Sequence, residues 1–123
     1  MKWKAEIVEQ RLAGPIVRVL FENVSGDAAA APVGDAMREV IDAHRPSAFV
    51  IDLTRAHYSG GDGICGLVVA HLVPLAIVAH DGDWERIHRT LQITGLLQIF
   101  GGKLFSKEDD ALQYLNRRLE AAG

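Results

Sequence analysis

The sequence predicts an α/β domain with the element order ββαβαβαβα, a mostly parallel sheet edged by an N-terminal antiparallel hairpin, and helices packed on it. Three observations carry this expectation. Two short β-branched, apolar runs, Ala48 to Leu53 and Pro74 to Ala79, have no polar alternation and read as strands covered on both faces. Amphipathic stretches at helical spacing separate and follow them. Alternating segments on either side of an Ala13-Gly14-Pro15 break open the chain.

In the opening hairpin Trp3, Ala5 and Ile7 share one side of the first segment, and Val17, Val19 and Phe21 oppose Arg18 in the second. After the polar stretch Glu22 to Asp27, Val33, Met37, Val40 and Ile41 recur at helical spacing while Asp35, Arg38, Glu39 and Asp42 take the other face. This helix is expected to end near His44-Arg45-Pro46. The strand Ala48 to Leu53 runs into a glycine-rich turn, Tyr58-Ser59-Gly60-Gly61-Asp62-Gly63, which leads into a short buried helix over Ile64 to Leu72. Pro74 to Ala79 returns as a second interior strand.

Asp81 or Asp83 is positioned to cap a third helix bearing Trp84, Ile87 and Leu91, with Ile93 a further inward candidate, and Gly95 supplies a left-handed stop. Leu96 to Phe100 then closes against the core. A weak strand at Lys103-Leu104-Phe105 precedes Ser106-Lys107-Glu108-Asp109, which resembles a capping box, and a last helix with Ala111, Leu112, Leu115 and Leu119 inward. Trp3 and Trp84 fit core-edge packing.

Composition narrows the function. At 123 residues, 49% of them hydrophobic, the chain has material for one core and thus one domain spanning 1–123, without repeat or linker. Thirteen Lys and Arg against sixteen Asp and Glu leave a net charge of -3, which offers no footprint for nucleic acid or an anionic membrane. The start, Met1 to Glu6, lacks the apolar core of a signal peptide, and no run approaches the roughly 20 apolar residues of a membrane helix, so a cytoplasmic location is expected. A single cysteine, Cys65, excludes an internal disulfide and a cysteine metal cluster.

The element order and several phrases resemble STAS domains of the anti-sigma-factor-antagonist type, over nearly the whole chain but mainly from Phe49 to Phe100. Ile51-Asp52-Leu53-Thr54 sits at the strand end, and Gly60-Gly61-Asp62-Gly63-Ile64-Cys65 falls without a gap on that family's Asp-Ser-Ser-Gly-Leu-Gly hexad. Leu91-Gln92-Ile93-Thr94-Gly95-Leu96, Phe100, Ser106 and Ala111 match the family's later phrases in order and spacing. The resemblance implies a non-catalytic regulatory module that needs no cofactor. It also implies a protein partner, an anti-sigma factor or regulatory kinase, docking on Tyr58, Ser59, Gly60, Gly61, Asp62, Gly63, Ile64 and Leu67.

Two departures stand out. Gly61 and Asp62 occupy the phosphosite-equivalent positions, so the family's switching hydroxyl is missing, and the chain between this loop and Pro74 is short, which implies a truncated second helix. Asp62 gives the loop a fixed negative charge that would partly mimic a phosphate, and equally could cap the helix that follows. Ser59 and Thr54 are the remaining nearby hydroxyls, ordinary turn residues that could also be phosphosites.

The alternative is a small-molecule or nucleotide sensor using the strand-end loops, since the amides of Gly60 to Gly63 at a helix start attract anions. That stretch lacks the Gly-Lys-Ser/Thr of a P-loop, and Asp62 would repel phosphate. An enzymatic reading would use Cys65 with His57 or His71, or His80 with Asp81 and Asp83. The apolar neighbours of Cys65 point instead to a buried, inert thiol. His44, His57, His71, His80 and His88 show no metal-ligand spacing.

Overall fold

A computed structural model describes residues 2–24, 29–56, 63–70 and 73–122. A five-stranded sheet organises them, with β1 (Trp3–Glu9), β2 (Ile16–Phe21), β3 (Ala48–Asp52), β4 (Leu75–Val78) and β5 (Leu104–Phe105) adjacent in chain order. β1 and β2 pair antiparallel and the other neighbours pair parallel, as the alternating and continuous apolar patterns predict.

Each parallel pair is joined through a helical segment: α1 (Ala30–His44), a 3-10 helix (Gly63–Ala70), and α2 (Asp81–Thr94) continued by the short α3 (Leu97–Phe100). Every crossover steps to the next strand in the same direction, so the handedness rule stacks all of these helices on one face. There Val33, Met37 and Val40 of α1, Ile64 and Leu67 of the 3-10 helix, and Ile87 and Leu91 of α2 join Phe21, Phe49, Ile51 and Ile77 in the larger core. The last helix, α4 (Glu108–Ala122), covers the other face, where Ala111 and Leu115 meet Ile16, Val50, Ala76 and Val78.

β3 and β4 are covered on both faces by these two layers, which explains why their sequences are apolar without alternation. α1 ends where expected: Arg45 takes the left-handed conformation at φ 45°, its amide donates to the Ile41 carbonyl, and Pro46 cannot continue the helix. Gly95 stops α2 in the same way, at φ 78°. Trp3 and Trp84 pack at the edge of the larger core.

Four expectations are corrected. The segment after the glycine-rich turn is 3-10 rather than α-helical. Ile7, expected beside Trp3 and Ala5, is 44% exposed, next to a bulge between the Ile7–Val17 and Glu9–Ile16 pairs. Ile93 is 78% exposed, because its place two residues after Leu91 takes it off the inward stripe. The N-cap of α2 is His80, with no side-chain cap bond, while Asp81 and Asp83 lie in the first turn and complement its dipole.

Candidate functional site

β3 and β4 pair in parallel, so their carboxyl ends lie side by side, and the chain leaves the β3 end for the glycine-rich segment. Tyr58, Ser59, Gly60, Gly61 and Asp62 of the predicted docking loop, with His57 before it and His71 after the 3-10 helix, lie outside the described residues. The flanks of the loop are well defined. On the β3 side, the Asp52 Oδ1 accepts both the Thr54 amide at 2.9 Å and the Thr54 hydroxyl at 2.6 Å, and Ala56 donates back to the Leu53 carbonyl at 3.1 Å. From the β4 side, His80 Nε2 donates to the Thr54 carbonyl at 2.9 Å. Since a carbonyl only accepts, the Nε2 carries the proton.

This arrangement ties two strand ends to the residue that begins the loop. Sequence reasoning missed the role of His80, which no local pattern connects to a residue 26 positions earlier. The Asp52–Thr54 turn had a legible signal, the aspartate-x-threonine spacing of an Asx turn. Thr54 is half-buried with its hydroxyl engaged, which disfavours it as a phosphosite.

On the other flank lie the remaining residues of the predicted docking surface, Gly63, Ile64 and Leu67. All three are buried, Ile64 and Leu67 at 0% and 1% exposure with their side chains in the larger core. A Cβ at Gly63 would lie 1.3 Å from the Val24 carbonyl oxygen, so only glycine fits where the 3-10 helix starts. Cys65, the single cysteine of the chain, is half-buried rather than fully buried.

The small-ligand and enzymatic readings gain little from this geometry. In open α/β sheets ligands bind where strand order reverses and successive crossovers diverge, and here the order β1-β2-β3-β4-β5 never reverses. Among the described residues no three His, Cys, Asp or Glu side chains are grouped to hold a metal ion. No helix among them is long and apolar enough to cross a membrane.

A mixed sheet with α1, the 3-10 helix and α2 on one face and α4 on the other is the architecture of STAS domains. Solved structures of that class match over nearly their whole length. An anti-sigma factor antagonist from Mycobacterium paratuberculosis superposes with a TM-score of 0.60 at 24% identity, covering 94% of this chain and 95% of that one. The anti-sigma factor antagonist SpoIIAA in its unphosphorylated form gives 0.58 at 11% identity, over 94% and 97% of the two chains. The Bacillus cell fate determinant SpoIIAA in its phosphorylated form gives 0.55 at 12% identity, over 93% and 99%. The chain therefore has the STAS fold of the anti-sigma factor antagonists, as its sequence resemblance implied. No family model and no curated protein matches it by sequence.

Proposed function

We propose that this chain is a non-catalytic regulatory module that binds a protein partner through the loop Tyr58 to Asp62, without the standard serine phosphoswitch. The observation that supports it is the match in fold, end to end, to anti-sigma factor antagonists, combined with the position of the loop between β3 and the 3-10 helix. Gly63, Ile64 and Leu67 anchor that helix in the core. Gly61 stands at the phosphosite-equivalent position and Asp62 beside it, so the loop presents a fixed charge in place of a switchable one. The partner is an anti-sigma factor or a related regulatory kinase.

The test is affinity capture from the native host with the wild type and an Asp62→Ser variant as baits, reading bound proteins and phosphate on the bait. A kinase-like partner whose retention changes with the substitution supports the reading. The same proteins on both baits, at equal yield and with no kinase-like protein among them, would reject the loop as the docking site.

A further inference from the structure

At the same end of the sheet, on β1 and β2, lies an open cleft of about 240 Å3 lined by Lys2, Trp3, Lys4, Leu20, Glu22 and Arg55. The chain brings these residues together by strand pairing. Trp3 pairs with Phe21, Lys4 pairs with Leu20, and Leu20 pairs in turn with Asp52 of β3, whose exit runs through Thr54 to Arg55. The Glu22 amide donates to the Lys2 carbonyl at 2.9 Å and closes the outer end.

The charges are unusual for this chain. Three cations and one carboxylate give the cleft a local excess of two positive charges in a protein of net charge -3. Arg11, Arg18, Arg38, Arg86 and Arg89 each have a carboxylate within ion-pair distance. Lys2, Lys4 and Arg55 have none among the described residues, as is also true of Arg45, Lys103, Lys107, Arg117 and Arg118, so it is their convergence in one cleft that sets them apart. Lys4 also acts through its charge on the nearby Glu6 carboxylate, without an ion pair at contact distance.

We propose that this cleft is a docking subsite for an acidic segment of a protein partner, with carboxylate side chains meeting Lys2, Lys4 and Arg55 and an apolar neighbour resting on Leu20, which shares the sheet face of Lys4. Its volume falls below the roughly 300 to 1,000 Å3 of pockets that enclose a small-molecule ligand, and it is open to solvent, which suits a short stretch of chain. The apolar side chain of Leu20 beside the cations favours a peptide over a bare anion. The proposal rests on the protein-binding reading above but uses a different surface from the Tyr58–Asp62 loop.

The experiment is a titration of the full chain with a blocked Glu-Glu-Leu-Glu-Glu peptide, followed by backbone amide shifts and by Trp3 fluorescence in a Trp84→Phe background. A Lys-Lys-Leu-Lys-Lys peptide and inorganic phosphate serve as comparison probes. The expected result is saturable shifts centred on Trp3, Lys4, Leu20 and Arg55. Raising ionic strength from 0.01 M to 0.15 M, which shortens the screening length from about 30 to about 8 Å, should weaken them. A Lys4→Glu/Arg55→Glu variant should raise the Kd by roughly tenfold or more. Both sites are at the surface, and a Lys4→Gln/Arg55→Gln variant with a smaller loss guards against misfolding. Shifts spread equally over Arg117, Arg118 and the cleft would overturn the proposal, as would saturation by phosphate without peptide binding. If the captured partner responds to Asp62→Ser but binds the charge-reversed variant unchanged, the cleft proposal fails and the loop reading stands.

Discussion

Gly66 of the 3-10 helix lies against the first turns of α1, so close to Gly34 that a Cβ built on it would fall 2.7 Å from the Gly34 amide nitrogen and 2.4 Å from the Ala30 carbonyl oxygen. Both of those atoms are backbone and cannot swing aside. The reverse substitution is different, because a Cβ on Gly34 would meet its nearest neighbours at 3.7 to 3.8 Å, ordinary contact distances. Gly66→Ala should therefore destabilise by about 3 kcal/mol, the upper range for overpacking. Gly34→Ala should be neutral or stabilise by up to about 1 kcal/mol, since it replaces a mid-helix glycine. Urea denaturation of the two variants checks the asymmetry; equal losses would mean that the helices do not cross at these residues.

The Asp52–Thr54–His80 link makes a graded prediction. Asp52→Ala removes an acceptor from two hydrogen bonds and should cost about 1 to 2 kcal/mol, with Asp52→Asn retaining part of it through its remaining oxygen. His80→Ala should cost less, because the ring is exposed and water can replace its bond to the Thr54 carbonyl. Hydrogen exchange adds a local readout. The Thr54 amide should lose protection in Asp52→Ala, whereas the β3 and β4 amides should keep theirs.

How much of this could be read from the chain follows from where the information is stored. β3, β4, α1 and the ends of α1 and α2 were legible because burial on both faces, a 3.6-residue stripe, an Arg-Pro pair and a glycine each leave a local mark. The 3-10 geometry of Gly63–Ala70 left no such mark, since its run is apolar all round and carries no local signal that separates it from an α-helix. The bulge beside Ile7 depends on register with β2, and the capping at α2 on backbone geometry. The candidate site divides in the same way. The glycine-rich turn is a local signal, whereas the His80–Thr54 bond and the convergence of Lys2 and Lys4 on Arg55 exist only after strands far apart in sequence have paired.

Arg18 on β2 joins three elements by hydrogen-bonding Glu6 of β1 and both carboxylate oxygens of Glu108 on α4, the latter at 3.0 and 3.1 Å. The hydrogen bond from Arg18, and next its charge, lower the pKa of Glu6 below the ordinary carboxylate value. A depressed carboxylate pKa contributes stability that is fully present above the unfolded value of about 4.3 and is lost as pH falls through the folded value. Arg18 itself stays charged throughout, its own pKa raised chiefly by the Glu6 hydrogen bond. In Arg18→Gln the linkage is gone, so the difference in urea midpoint between wild type and variant should be largest near pH 7 and shrink below about pH 4. A difference that stays constant across that range would show that the arginine acts through packing alone.

Leu12, fully exposed in the turn between β1 and β2, and Ile93, 78% exposed on α2, are the most exposed large apolar side chains among the described residues. Neither contributes burial to the folded state, so replacing them removes no hydrophobic stabilisation. Leu12→Lys and Ile93→Lys should each leave stability within about 0.5 kcal/mol of wild type, as for surface positions generally. Ile93→Lys gains a little further, because lysine has higher helix propensity than isoleucine and a cation near the last turn complements the dipole of α2. Concentration-dependent light scattering alongside thermal melts separates the two roles an exposed apolar residue can have. Unchanged melting with unchanged scattering means that each is an isolated surface residue, whereas a fall in the apparent mass of the wild type on Ile93→Lys alone would identify the outer face of α2 as a contact between copies of this chain.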